Sequence, residues 1–314
     1  MQPDTIIVTG GNAPYFPLID ELRQSIAAAA PDGMPGFGVI DAGLTDDQRQ
    51  TLAAAGARVV TVPDDPAYPH ATLRKDPRLA VNLSKPWLDR MFPDAATIVF
   101  LDGDTWVQDW NALRMLEGAA QQHALAVVAD NGRFWERQID VRWLLGGIGG
   151  LCQVRSFFFK NGRHGGLPLS LLKEMGTRAQ LNAGVFALPT DAPHWAAMRR
   201  WQAHILAAGG KGFSSDQLAM GAAIYGDHLR VELLPEGCNY IRPYRVDLAR
   251  REIVEFYFPF PRVGIVHLAG QKEVRFDPNA TAPLPDLDDR IHHLSLRFGH
   301  FQRMAQQVAA RPSG

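Results

Sequence analysis

Three short β-branched runs alternate with two helical stretches between Asp4 and Val62, and this alternation limits the fold more than any other feature of the chain. DTIIVTGG (Asp4 to Gly11) reads as a strand closed by glycines. In the following stretch, from Tyr15 to Ala30, Phe16, Ile19, Leu22 and Ile26 recur at helical intervals. A breaker cluster from Pro31 to Gly36 precedes a second strand, FGVIDAG (Phe37 to Gly43). Thr45 with Gln48 three positions on is a capping-box signature, and Gly56 stops the helix that it opens. ARVVTV (Ala57 to Val62) is the third strand. Strand, helix, strand, helix, strand in this order is the opening of a mostly parallel sheet in an α/β protein.

Further buried-type runs continue the sheet: ATIVFL, ALAVVAD (Ala124 to Asp130), LNAGVFALP (Leu181 to Pro189), LRVELLP and GIVHLAG (Gly264 to Gly270). LPLSLLKEMG and the stretch from Trp195 to Ala208 look helical. So does the last segment, Asp286 to Ala310, by the spacing of Leu287, Ile291, Leu294, Phe298 and Phe301. No linker cuts the chain, so the expectation is one α/β domain over residues 1–275 with a C-terminal helical extension over 276–314. Residues 132–166 mix aromatics, arginines and glycines without a steady period. They read equally as a lid or acceptor surface and as core strands with hidden edges.

The 314 residues carry a formal net charge of −1, which argues against a general polyanion-binding surface and against nucleic acid as a partner. Two cysteines, Cys152 and Cys238, make neither a disulfide framework nor a four-thiolate metal site, so a reduced, cytoplasmic setting is expected. The N-terminal residues do not have the pattern of a signal peptide, and no apolar run is long enough to span a bilayer. A peripheral contact at the inner face of a membrane needs no such run. The sequence leaves oligomeric state open.

At Leu101 the apolar run TIVFL stops and Asp102-Gly103-Asp104 begins. In open α/β sheets ligands bind beyond the carboxyl ends of the strands. Residues i and i+2 of an extended chain point the same way, so an extended Asp-Gly-Asp aims both acids at one side. Two anions so close need a positive group between them, and a divalent cation such as Mg²⁺ or Mn²⁺ suits carboxylate and phosphate oxygens. A solvated Asp-Gly turn is the plainer alternative.

The order of motifs resembles glycosyltransferase family 8, whose members have the GT-A nucleotide-sugar fold. IIVTGGNAPYFPLIDELRQSI resembles the family's opening strand, nucleotide loop and first helix. FLDGDTWV resembles its Asp-x-Asp motif, LNAGVFAL its Asn-(Ala/Ser)-Gly-Val strand, and SSDQLAM its Asp-Gln segment. LLPEGCNYI and GIVHLAGQKE resemble its two closing segments. The first loop carries Gly10-Gly11-Asn12 where an acid often occurs, and the last ends in QKE rather than Lys-Pro-Trp. The resemblance implies a GT-A type, Rossmann-like, mostly parallel mixed sheet flanked by helices. It also implies a metal-dependent, retaining transfer of a hexose, glucose or galactose, from a UDP-sugar to an acceptor hydroxyl.

The same resemblance implies the residue roles. Asp102, Asp104 and His267 hold Mn²⁺ or Mg²⁺, with Gly103 between the acids. Thr9 and Tyr15 lie at the nucleotide, where Tyr15 can stack on a uracil ring. Lys85, Gly270 and Lys272 serve the diphosphate. Asn182, Asp130, Asp216 and Gln217 meet the donor sugar, with the Gln217 amide near the anomeric carbon. Each has a structural alternative: a strand-end histidine, a helix-start tyrosine, surface lysines at 85 and 272, an asparagine satisfying strand-end backbone, and an aspartate capping a helix. The acceptor is a glycan, a lipid-linked sugar or a protein. Abundant alanine and an excess of arginine over lysine suggest a GC-rich bacterial source. Two rival functions stay open, a sugar-phosphate nucleotidyltransferase and a non-catalytic nucleotide-sugar or carbohydrate-binding protein of the same fold.

Overall fold

The computed structural model describes residues 1–310 apart from 3, 32 and 131–138. Its opening follows the sequence pattern. Strands β1 (Thr5–Gly11), β2 (Gly36–Asp41) and β3 (Arg58–Val60) are joined through helices Phe16–Ala29 and Asp46–Ala54. β1 pairs with β2, and β2 with β3, both in parallel. The first helix buries Leu18, Ile19, Leu22 and Ile26, the stripe expected of an amphipathic helix. The second opens on the capping box: Thr45 Oγ1 accepts from the Gln48 N–H, and the Gln48 side chain accepts from the Thr45 N–H.

β4 (Thr97–Leu101) is buried at every residue, and Ile98, Val99, Phe100 and Leu101 have no exposed surface. Burial of this kind stabilises by roughly 1.5–3 kcal/mol per large side chain. β5 (Thr105–Val107) follows after a tight turn, then β6 (Leu125–Ala129), the hairpin strands β7 (Asp140–Trp143) and β8 (Cys152–Arg155), β9 (Leu181–Pro189) and β10 (Val231–Leu234). The central sheet has seven strands in the order β10-β6-β9-β4-β1-β2-β3; it is mostly parallel and flanked by helices, with β6 and β9 antiparallel. β11 (Tyr244–Asp247) and β12 (Glu252–Glu255) form an antiparallel pair, and β13 (Ile265–His267) runs antiparallel to β5.

The chain groups into two compact units. One comprises Met1–Thr61, Val99–Gly118 and Leu234–Gly314; the other comprises Val62–Ile98 and Ala119–Leu233. Leu18, Trp106, Tyr240, Tyr244, Val266 and Phe301 belong to the core of the first unit. In the second, Phe158, Leu172, Met175, Ile205, Leu218 and Ala222 pack together.

Two local readings change. Helical spacing from Asp286 to Ala310 holds only over the helix His300–Ala309. Before it, β14 (Ala282–Pro285) and β15 (Ile291–Leu294) form an antiparallel hairpin. The Asp286 carboxylate accepts from the N–H groups of Asp288 and Arg290 and turns the chain, a local bond that competes with helix. Ile291 stays exposed while Leu294 and Phe301 are buried, so no continuous helical stripe exists. In the glycine- and arginine-rich region, residues 132–138 lie outside the described residues. The rest forms the hairpin β7–β8 and the helix Phe157–His164, so this part is not core strand: the hairpin is largely exposed.

Candidate functional site

In the first unit the end of β4 and the end of β13 bring two acids and an imidazole together. β13 is antiparallel to β5, with His267 opposite Thr105. The Leu268 N–H donates to the Asp104 carbonyl at 2.9 Å, which ties the two ends. His267 Nε2 lies 3.5 Å from Asp104 Oδ1 and 4.0 Å from Asp102 Oδ2. Among the described residues these three form the one group of His, Cys, Asp or Glu whose ligand atoms could hold a metal ion, all within 4.8 Å of one another.

The acids converge by a different route from the extended one expected. The Thr105 N–H and Oγ1 both donate to the Asp102 carbonyl, at 3.0 and 2.8 Å, so Asp102 to Thr105 is a tight turn. Gly103 eases a close approach there: a Cβ would sit 3.0 Å from the Gly10 carbonyl oxygen, a tight contact. Gly270 has φ +78°, a conformation open to glycine, and the Arg242 guanidinium carbon lies 3.7 Å from where its Cβ would stand.

The His267 backbone is fixed on both sides. Its backbone N–H donates to the Tyr240 carbonyl, and its backbone carbonyl accepts from Tyr244 Oη at 2.6 Å. Nδ1 lies 2.8 Å from Asn239 Oδ1. An amide oxygen only accepts, so Nδ1 carries a proton and Nε2 is the nitrogen turned toward the acids, donating to Asp104 when protonated and offering its lone pair when not. Two carboxylates and an imidazole lone pair suit a hard or borderline divalent cation.

A cation of the chain's own stands beside them. Arg275 Nη1 donates to Asp104 Oδ2 at 2.9 Å and to Tyr15 Oη at 3.2 Å. Burial pushes the Asp104 carboxyl up, but the hydrogen bond and charge of His267 and the charge of Arg275 outweigh it and bring the group down to about 2. Burial and then the Asp104 charge raise the Tyr15 phenol. The Tyr15 ring meets Phe276 edge-on at 5.7 Å and is half-buried. Thr9 Oγ1 is buried without a hydrogen-bond partner among the described residues, and Lys272 is exposed.

In the second unit Lys85, Asp216 and Gln217 come together. Lys85 Nζ pairs with Asp216 Oδ2 at 3.2 Å, with both side chains 5% exposed. Asn82 Nδ2 donates to the same oxygen at 3.2 Å, and the Gln217 N–H donates to Oδ1 at 2.8 Å. Asp216 is therefore an anion held by three donors in the first turn of the helix Ser215–Tyr225, where the helix dipole also favours it. Gln217 Nε2 is buried and has no hydrogen-bond partner among the described residues. Asp130 and Asn182 lie where β6 and β9 pair: Asp130 accepts from Gln180 Nε2 at 3.1 Å, and Asn182 Oδ1 accepts from the Gly184 N–H at 2.8 Å.

Sequence reasoning did not single out Arg275, Asn239 or Asn82. Asn239 sits inside the LLPEGCNYI stretch, and its type alone was a signal, since an amide beside a metal-binding imidazole sets the tautomer. Arg275 follows His267 by eight positions in a short helix, Lys272–Phe276, with no motif to mark it.

No protein-family model and no curated protein matches the chain. Among solved structures it is similar to the apo form of the bifunctional glycosyltransferase WbbM, with a TM-score of 0.55 and 15% identity over 86% of this chain. That alignment spans 46% of WbbM, so this chain covers less than half of the larger protein. It is similar to the galactosyltransferase LgtC in complex with donor and acceptor sugar analogs, with a TM-score of 0.54 and 15% identity over 98% of both chains. Mouse xyloside xylosyltransferase 1 in its apo form matches at 0.51 and 11% identity, over 85% of this chain and 98% of that one. The fold is thus the GT-A type of these glycosyltransferases.

Proposed function

We propose that the protein is a metal-dependent, retaining glycosyltransferase that moves a hexose, glucose or galactose, from a UDP-sugar to an acceptor hydroxyl in bacterial glycan synthesis. The observation that carries this reading is the convergence of Asp102, Asp104 and an Nε2-presenting His267 at a strand end of a GT-A fold. Those three residues would hold Mn²⁺ or Mg²⁺, which supplies positive charge against the donor diphosphate.

The chain's own residues do the rest. Arg275 adds a guanidinium beside Asp104 and Tyr15 and offers further N–H groups to phosphate oxygens. Gly270 leaves room for backbone to approach a phosphate, with Lys272 next to it. The Tyr15 ring gives an apolar face against which a base can lie. Gln217 presents a buried, unpartnered amide N–H₂ to the donor sugar, and Asp216, Asn182 and Asp130 offer acceptors to its hydroxyls. With an amide rather than a carboxylate at Gln217, the chain offers no nucleophile there for a double displacement. Front-side attack by the acceptor, with its proton passing to the departing phosphate, is the matching route.

The test is a panel of UDP-sugars scored for UDP release with Mn²⁺, with Mg²⁺ and with chelator, with and without acceptor. Metal-dependent release that quickens with acceptor supports transfer. One observation favours a second reading, a nucleotide-sugar-binding protein that does not transfer: the Arg275 ion pair already meets part of the Asp104 charge. Metal-dependent binding of UDP-sugar with no release would select that reading.

A further inference from the structure

Among the described residues, the hairpin β7–β8 in the second unit carries the largest group of exposed apolar side chains close together in sequence. Trp143 is 63% exposed, Leu145 73%, Ile148 75% and Leu151 53%. The tip, Leu145–Gly150, is a 3₁₀ turn in which Gly146, Gly149 and Gly150 all have positive φ. The hairpin closes through the Leu144 N–H to the Leu151 carbonyl at 2.9 Å. Its base is anchored: Ser156 caps the helix Phe157–His164, and Phe158 in that helix is buried in the unit's core. A fixed stalk with a greasy, glycine-bent tip is costly in water and marks a contact surface.

Charge says which surface. From residue 139 to 164 there are four basic residues, Arg142, Arg155, Lys160 and Arg163, against one acid, Asp140, in a chain of net charge −1. All four are exposed. Arg155, Lys160, Arg163 and His164 line a cavity of about 1020 Å³ together with the rings of Phe157 and Phe159. Four-residue strands span roughly 13 Å, enough to carry an apolar tip past headgroups while the basic residues stay at their level. An indole such as that of Trp143 favours that boundary. Two copies meeting through this face would oppose like charges, whereas an anionic bilayer matches both the apolar tip and the basic base.

We propose that the hairpin β7–β8 docks the protein on an anionic lipid bilayer, with the tip Trp143–Leu151 in the interface and a lipid phosphate taken between Arg155, Lys160 and Arg163. The docking proposed is peripheral; no helix among the described residues is long and apolar enough to cross a membrane. This contact is independent of donor chemistry and is measured with no UDP-sugar present, so its outcome is separate from that of the transfer assay.

The test is co-sedimentation of the full chain with vesicles of phosphatidylcholine plus phosphatidylglycerol, and with phosphatidylcholine alone. Binding to the anionic vesicles is expected, falling with added salt. L145S/I148S, which removes two bare side chains and should leave the melting temperature unchanged, should weaken binding at least about tenfold. R155Q, K160Q and R163Q should each weaken it about fivefold. Trp143→Phe should remove a vesicle-induced blue shift of fluorescence. Absence of vesicle binding overturns the proposal, as does equal binding by L145S/I148S. Sedimentation velocity covers the rival occupant: a dimer dissociated by L145S/I148S, without vesicle binding, would make this face a self-interface instead.

Discussion

Asn239 Oδ1 and His267 Nδ1 are 2.8 Å apart in a buried pocket, and that single contact decides which ring nitrogen faces the acids. The Asn239 residue is 3% exposed and His267 is 3% exposed, so neither has solvent as a substitute partner. An unpaired Nδ1 could exchange its proton with Nε2 and lose the ligand lone pair.

Replacing Asn239 with leucine should therefore weaken Mn²⁺ binding by roughly 10–100-fold while leaving the fold intact. Calorimetric Mn²⁺ titration and far-UV circular dichroism measure the two effects. Unchanged affinity in a folded variant means that the amide does not orient the imidazole.

Arg275 and a divalent cation compete for the charge of Asp104. Arg275→Gln should bind Mn²⁺ more tightly, by about fivefold, as roughly 1 kcal/mol of repulsion is relieved. It should bind UDP-sugar less tightly, because a phosphate-facing guanidinium is gone. A variant in which both affinities fall would show that Arg275 instead holds the site together.

Asp104 gives a pH signature in chelator. Its folded pKa, brought to about 2 by His267 and Arg275 against the upward push of burial, lies below its ordinary value of 3.8. A depressed carboxyl contributes stability above the unfolded pKa and loses it as pH falls through the folded one. The wild type should thus lose stability between about pH 4 and pH 2, and Asp104→Asn should lose less over that window. Parallel acid-unfolding curves for the two proteins would contradict the ion-pair assignment.

The Lys85–Asp216 pair predicts a stability effect. Lys85→Met leaves a buried carboxylate with Asn82 and a backbone N–H but no cation, and should cost about 3–5 kcal/mol. The double variant K85M/D216L, which removes both charges, should recover most of that loss. Urea midpoints decide it: a near-neutral K85M would mean that the pair is solvated in solution.

Gln217→Ala should keep donor binding and slow transfer by roughly 10–100-fold, since the amide is proposed to act at the sugar as charge develops. Loss of donor binding with a normal rate at saturation would place the residue elsewhere. In the same assay, Asp102→Asn and Asp104→Asn should each abolish metal-dependent transfer.

Much of the frame was readable from local pattern. The first three strands, the Thr45–Gln48 cap and the burial of TIVFL follow from periodicity and side-chain chemistry, which are near-neighbour properties. The acids at 102 and 104 stood out for the same reason. The hairpin Ala282–Leu294 was misread because Ile291, Leu294, Phe298 and Phe301 keep helical spacing across the boundary between β15 and the helix His300–Ala309, where Gly299 has φ +76°. Arg275 was missed because nothing near it in the chain shows that Asp104 stands opposite.

Residue type and near-neighbour pattern were enough for the α/β alternation and for marking the charge-bearing side chains, since neither needs contacts between distant residues. Tertiary contact brings Asn239 against the His267 ring and Arg275 against Asp104, whereas the turn from Asp102 to Thr105 is a bond between near neighbours. Both contacts depend on β13 pairing with β5, next to the end of β4. Pairing of that kind is set by packing across more than a hundred residues, and no local preference encodes it.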